Sequence, residues 1–201
     1  MQKLHVIYVP GLGDHNIARQ AMLVKTWKWW GVDPEIFQMM WADNEPWQSK
    51  QKRLLDRIDE LYKAKVPLAL VGASAGASAV INTFAARSDK IVGVVCIAGK
   101  INRPNAIGER YRSRNPSFAG SAENVPDSLK KLTNDDRARI LTRYALYDPL
   151  VIRADSYVGG AHNRFSPTIG HVFTIAFQIS FGARSFLRFL KHCMREQQID
   201  T

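Results

Sequence analysis

Val66-Pro67-Leu68-Ala69-Leu70-Val71-Gly72-Ala73-Ser74-Ala75-Gly76-Ala77-Ser78-Ala79-Val80-Ile81 is the stretch that decides how this chain is read. The apolar run from Val66 to Val71 predicts a buried strand. From Ala77 to Ala86 the residues are small and apolar enough for a helix packed tightly on a sheet. Between them stands Gly72-x-Ser74-x-Gly76. A serine so placed sits on a sharp, strained turn that lifts its hydroxyl out of the sheet edge, and the small residues around it let helix and neighbouring strands approach.

Outward from this turn, strand and helix patterns alternate. Leu4 to Val9 predicts a first strand, ending in the loop Pro10-Gly11-Leu12-Gly13-Asp14-His15. Asn16 to Trp30 carries a helical stripe at Met22, Leu23, Thr26, Trp27 and Trp30, with Gly31 placed to close it. Glu35 to Trp41 reads as a second strand. Pro46 opens a helix whose Leu54, Leu55, Ile58, Leu61 and Tyr62 share one face. Ile91 to Ala98 and Ile140 to Leu146 read as further buried strands, and His171 to Met194 as one long closing helix. Such alternation predicts right-handed crossovers and a three-layer α/β/α sandwich, with a mostly parallel sheet of about six strands. A single domain over 1–201 is expected. Residues 100–138 break the rhythm with Pro104, Pro116, Pro126 and the cluster Arg110-Tyr111-Arg112-Ser113-Arg114. A connection this long is usually functional or mobile, and it reads as a lid-like insertion of short helices over the sheet edge.

Composition bounds the possibilities. The 201 residues, 46% apolar and 23% charged, suit one substantial core. A strand pattern from Leu4 is not that of a secretory leader, and Cys96 and Cys193 need not pair, so a cytoplasmic location is expected. Val172 to Leu190 is interrupted by Gln178, Arg184 and Arg188, so no membrane span is expected. No zinc-type Cys or His spacing occurs. The formal charge of +10 admits anionic partners, although a solvated basic face is the simpler reading of the arginine cluster and nucleic acid is not the expected partner.

A serine hydroxyl needs a base, and the base needs a group to orient it. Of five histidines, His171 is favoured, because it follows Pro167-Thr168-Ile169-Gly170 after the last strand; His15 is the rival. The acid is expected at a strand end between Ser74 and His171. Asp148, stopped by Pro149, is preferred to Asp155, which falls in the next connection. The N–H groups of Ala75, just after the serine, and Leu12, in the glycine-rich loop, are the expected donors to an oxyanion. Gly11, Gly13, His15 and Trp41 are expected around the substrate. Gly11-x-Gly13 lacks the third glycine of a dinucleotide-binding loop, since Asn16 stands there.

Ser74 in its turn, Asp148 and His171 in that order, and the glycine-rich loop after the first strand together resemble the α/β-hydrolase superfamily. The resemblance runs from Leu4 to the final helix. It implies a Ser-His-Asp hydrolase with a parallel-sheet core, an insertion after the strand beyond the elbow helix, and neither metal nor organic cofactor. The chain departs from the family in three ways. It starts where the family's third strand would be, Pro10 replaces the histidine often found before the oxyanion-loop glycine, and Ala73-Ser74-Ala75 replaces the His-Ser of many lipases. The implied activity is cleavage of a small-molecule carboxylic ester or thioester through an acyl-enzyme. The same residues would serve an acyltransferase, and a binding protein that kept the fold for an anionic partner is the non-catalytic alternative. Ile101, Ile107, Tyr111 and Phe118 are expected to face the substrate, and Arg103, Arg110, Arg112 and Arg114 to form a basic rim.

Overall fold

The computed structural model describes residues 2–199. Six strands form one all-parallel sheet in the order β2-β1-β3-β4-β5-β6: β1 (Leu4–Val9), β2 (Val32–Ile36), β3 (Leu68–Ala73), β4 (Gly93–Ile97), β5 (Ile140–Tyr147) and β6 (His162–Ile169). The period of two along a strand sends alternate side chains to opposite faces. On β1, Ile7 and Val9 enter one apolar core, and Leu4, Val6 and Tyr8 the other. The sheet is therefore covered on both sides.

One side is covered by α2 (Trp47–Lys63), α3 (Ala75–Ala86) and α5 (Pro116–Lys131). The other is covered by α1 (Ala18–Lys25) with the 3-10 turn Thr26–Trp30, α8 (His171–Ile179) and α9 (Ala183–Ile199). On that second side Trp27 is fully buried. It meets Tyr8 and Phe186 edge-on and donates its indole N–H to the Ile179 carbonyl, 2.8 Å away. Among the described residues, the short helices α4 (Glu109–Arg114), α6 (Asn134–Ala138) and α7 (Arg153–Ser156) and a 3-10 turn at Pro104–Ala106 complete the elements.

Three expectations change. The second strand is Val32–Ile36 rather than Glu35–Trp41. Gly31 ends the preceding turn with φ +68, so pairing with β1 starts at once, and beyond Phe37 the chain is drawn off the sheet. There the Met40 and Trp41 N–H groups donate to the Asp14 carboxylate at 2.6 and 3.2 Å. The closing helix is two helices, because Ser180 leaves helical geometry (φ −105, ψ −93) and redirects α9 along the sheet. Finally, β6 escaped the reading. It is an edge strand, largely exposed, with His162, Asn163, Arg164 and Pro167 where a buried strand would carry apolar residues.

Within 100–138, α4 and α6 are short, whereas α5 runs sixteen residues and packs along α3. The Ser78 and Ser121 hydroxyls meet at 2.9 Å, and the Asn82 amide donates to the Ser121 carbonyl at 2.8 Å. Most of the segment thus belongs to the helical layer, and only its first third reaches across the sheet edge.

Candidate active site

In a parallel sheet every strand ends on the same side, and crevices beyond the carboxyl ends are where such folds bind ligands. Leu12 follows β1, Ser74 follows β3, Lys100 follows β4, Asp148 follows β5 and His171 follows β6. Five distant stretches of sequence are brought to one rim.

Ser74 sits at φ 53, ψ −117, a left-handed conformation that a side chain rarely adopts. The surroundings enforce it. A Cβ on Gly76 would lie 2.1 Å from the Val9 carbonyl oxygen, so only glycine lets α3 start this close to β1. The Ser74 N–H donates to the Ile97 carbonyl at 2.9 Å and its own carbonyl accepts from Ala77 and Lys100, which ties the turn to β4. Gly11 closes the site from above: a Cβ there would stand 2.8 Å from the Ser74 Cβ.

His171 Nε2 lies 2.8 Å from Ser74 Oγ, and His171 Nδ1 lies 2.7 Å from Asp148 Oδ2. The other Asp148 oxygen accepts from the N–H groups of Leu150 and Val151 at 2.8 and 3.0 Å, and the carboxylate is buried. An acceptor at Nδ1 places the imidazole proton there, leaving Nε2 to accept the Ser74 hydroxyl proton. Ala75 begins α3, so its N–H is among the first, unpaired donors of that helix. Neither it nor the Leu12 N–H is engaged by another described residue.

The remaining histidines lie elsewhere. His5 sits between Asp33 and Glu35 at 3.0 and 2.8 Å. His15 is exposed and outside the cavity lining, as is Gly13. His162 packs on Phe189, and His192 pairs with Glu196. Asp155 does not reach His171. It is buried and holds the Lys100 ammonium at 2.8 Å, while Arg103 stands 3.8 Å away. Trp41 is not a cavity residue either. It is fully buried, stacks on Trp47 and donates its indole N–H to the Pro10 carbonyl at 3.1 Å, so it props the Leu12 loop from behind.

A cavity of about 1030 Å³ opens beside Ser74 and His171. Gly11, Leu12, Leu23, Ile107, Tyr111, Phe118, Leu150, Val172, Ile175 and Ile179 make most of its wall apolar. Ile101 is buried behind the wall and does not line it. The charged lining residues are Arg19 and Lys100, not the arginines of the insertion. Arg112 is instead spent on the Ile107 and Pro104 carbonyls and on Glu123. Gln20 also lines the cavity, with its amide oxygen taken by the buried Tyr8 hydroxyl at 2.7 Å; burial raises the Tyr8 pKa, which keeps it a donor. Sequence reasoning missed Arg19, Gln20, Lys100 and the brace Asp14. Of these only Lys100 had a legible cue, its place directly after the β4 strand run.

No protein-family model matches the chain, and no curated protein sequence does either. Solved structures do. Est1E from Butyrivibrio proteoclasticus superposes with a TM-score of 0.67 at 13% identity, covering 95% of this chain and 89% of that one. Dienelactone hydrolase from Anabaena variabilis gives 0.66 at 16% identity, with 95% and 87% covered. The monoacylglycerol lipase of Paleococcus ferrophilus gives 0.62 at 14% identity, with 94% of each chain covered. At these identities the likeness is one of fold. The chain has the α/β-hydrolase fold, with a six-stranded, open, all-parallel sheet. Among the described residues no helix is long and apolar enough to cross a membrane.

Proposed function

We propose that this chain is a serine hydrolase of small-molecule carboxylic esters or thioesters. The observation that carries the proposal is the unbroken hydrogen-bonded chain from Ser74 Oγ through His171 to the buried Asp148 carboxylate. A protein that used the fold only for binding would not need these three groups in that order, beside a cavity with two free N–H groups. Ser74 Oγ attacks the acyl carbon as its proton passes to His171 Nε2. Asp148 holds the imidazole in the receptive tautomer and stabilises the imidazolium. The oxygen of the tetrahedral intermediate takes hydrogen bonds from Leu12 and Ala75 N–H, donors already in place before charge develops. His171 then protonates the leaving alcohol or thiol. Water attacks the acyl-Ser74 ester by the same route in reverse, giving the free acid and Ser74.

The wall composition supports an apolar acyl group. Each methylene it covers is worth about 0.8 kcal/mol, until the chain outruns the wall. Specificity is therefore expected to rise over short and medium acyl chains and then level. The direct test is a fluorophosphonate probe, which esterifies an activated serine. Labelling of the parental protein and none of Ser74→Ala supports the reading, and an unlabelled parental protein removes it.

A further inference from the structure

The polarity of α8 is inside out. Its polar residues point inward: His171 to Asp148, Thr174 Oγ1 to the Gly170 carbonyl and the Thr168 hydroxyl, Gln178 Nε2 to Ser166 Oγ at 2.9 Å. Its outer crest is apolar. Val172 is 77% and Phe173 60% exposed, and Phe177 continues a ring ladder to Phe181, which is 85% exposed just past the helix end. A helix that covers a core toward water has the opposite arrangement. The neighbouring α1 adds Met22, and its 3-10 turn adds Trp29, which is 81% exposed. The connected ladder of exposed rings on α8 and its end, with further exposed apolar residues on the helix packed beside it, marks an interaction surface.

Charge selects the partner. Residues 18–30 and 171–195, which build α1, its 3-10 turn, α8 and most of α9, contain no Asp or Glu. They carry Arg19, Lys25, Lys28, Arg184, Arg188 and Arg195. These helices pack together, with the Arg184 guanidinium over the Trp30 ring and Lys191 donating to the Trp30 carbonyl. The result is one face with exposed Trp and Phe among cations. A second copy of the chain would bring like charge against like, and the α8 crest has no donor to offer a nucleic-acid phosphate. An anionic bilayer satisfies both features, since apolar side chains enter the headgroup boundary and cations meet acidic lipids.

We infer that the α1/α8/α9 face docks this protein on an anionic lipid surface. The cavity opens on that face, because exposed Arg19 and Val172 both line it, with Leu23, Ile175 and Ala176 behind them. A bilayer-held ester would therefore pass from lipid to Ser74 between α1 and α8. This consequence for substrate class rests on the hydrolase reading; the docking itself does not.

The test is flotation with vesicles of phosphatidylcholine alone or mixed with phosphatidylglycerol, using the parental protein and Ser74→Ala. Both proteins are expected to float with the anionic vesicles, with about tenfold or more weaker recovery on phosphatidylcholine alone or after Lys28→Glu/Arg188→Glu. Phe173→Ser/Phe181→Ser is expected to lose about tenfold in vesicle affinity while keeping its Tm and its turnover of a soluble short-chain ester. The inference is overturned by no flotation, by flotation unchanged in the phenylalanine double variant, or by a sedimentation dimer that the same variant converts to monomer. Displacement from vesicles by duplex DNA at equal ionic strength would reassign the face to nucleic acid. Vesicle binding without ester turnover keeps the docking and removes the hydrolase reading, and soluble-ester turnover without vesicle binding does the reverse.

Discussion

Helices α3 and α8 begin at the two ends of one hydrogen bond, Ser74 to His171, yet they are built on opposite principles. From Ala75 to Phe84 every residue of α3 is buried, and small side chains bring its first turn against β1. α8 buries only Thr174, Gln178 and Ile179, and turns Val172 and Phe173 to the outside. The serine is thus held by a strained turn that packing leaves no freedom to relax, while the imidazole is held by polar anchors under a helix with an open crest. Rigidity at Ser74 comes from sterics, and at His171 from hydrogen bonds.

That contrast can be broken first at the chemistry. Ser74→Ala is expected to lower ester turnover by about 10⁴-fold or more without unfolding the protein. Near-parental turnover of a short p-nitrophenyl ester would place the nucleophile elsewhere. Next comes the acid. Asp148→Asn is expected to cost about 10³-fold in kcat, because the imidazole loses the tautomer that accepts from serine. Asp155→Asn should leave most of the turnover and instead lower the Tm, since Lys100 would be left buried without its carboxylate. The reverse ranking in kcat would make Asp155 the orienting acid.

Packing sharpens the contrast further. Gly76→Ala must displace β1 or α3 and is expected to destabilise by about 3 kcal/mol or more, whereas Phe173→Ala on the exposed crest should stay within about 0.5 kcal/mol. Equal shifts in denaturant midpoint would mean that α3 tolerates movement its geometry does not allow.

The smallest effect lies far from the site, at the β1–β2 edge. A hydrogen bond that His5 donates to Glu35, and a weaker one it donates to Asp33, raise the His5 pKa above the usual 6.5, and the same His5 contact, with Arg57, holds Glu35 down at about 2. A raised histidine pKa stabilises fully below 6.5 and loses that contribution as pH climbs through the folded value. A depressed carboxyl pKa stabilises above 4.5 and loses it as pH falls toward 2. The cluster therefore contributes most between these two limits. Tm should fall more from pH 6 to 8 in the parental protein than in Glu35→Gln, and parallel profiles would show that His5 is not coupled to Glu35.

The two helices also differ in how openly their sequences declare them. The turn at Ser74 was legible because steric demand leaves a fixed signature, glycine on both sides of the serine between a strand run and a small-residue helix. The strands β1, β3 and β4 are legible because burial on both faces favours near-continuous apolar runs, and β5 because Ile140, Leu141, Tyr144 and Ala145 flank Thr142 and Arg143. β6 was not, since an edge strand half in water has no such need, and its polar residues resembled a loop. Trp41 was misplaced for a related reason. Its place at the end of the expected strand Glu35–Trp41 points to the cavity, but Asp14, in the glycine-rich loop, pulls that segment behind the Leu12 loop. Lys100 and Asp155 find each other across 55 residues, and no local period encodes such a pair.

The insertion that lines the cavity is pinned at either end. The Ile101 and Asn102 N–H groups both donate to the Asp155 carbonyl at 2.8 Å, and the Ser117 hydroxyl donates to the Trp41 carbonyl. Between them Arg103 takes a left-handed φ of 58. Residues 103–115 are thus held at both ends and again in the middle, where Ile107 is buried and Arg112 pairs with Glu123 of α5, so the stretch that lines the cavity with Ile107 and Tyr111 is fastened to the helical layer rather than to a strand end. Amide protons of 103–115 should exchange with deuterium before those of α5, whose buried face packs along α3.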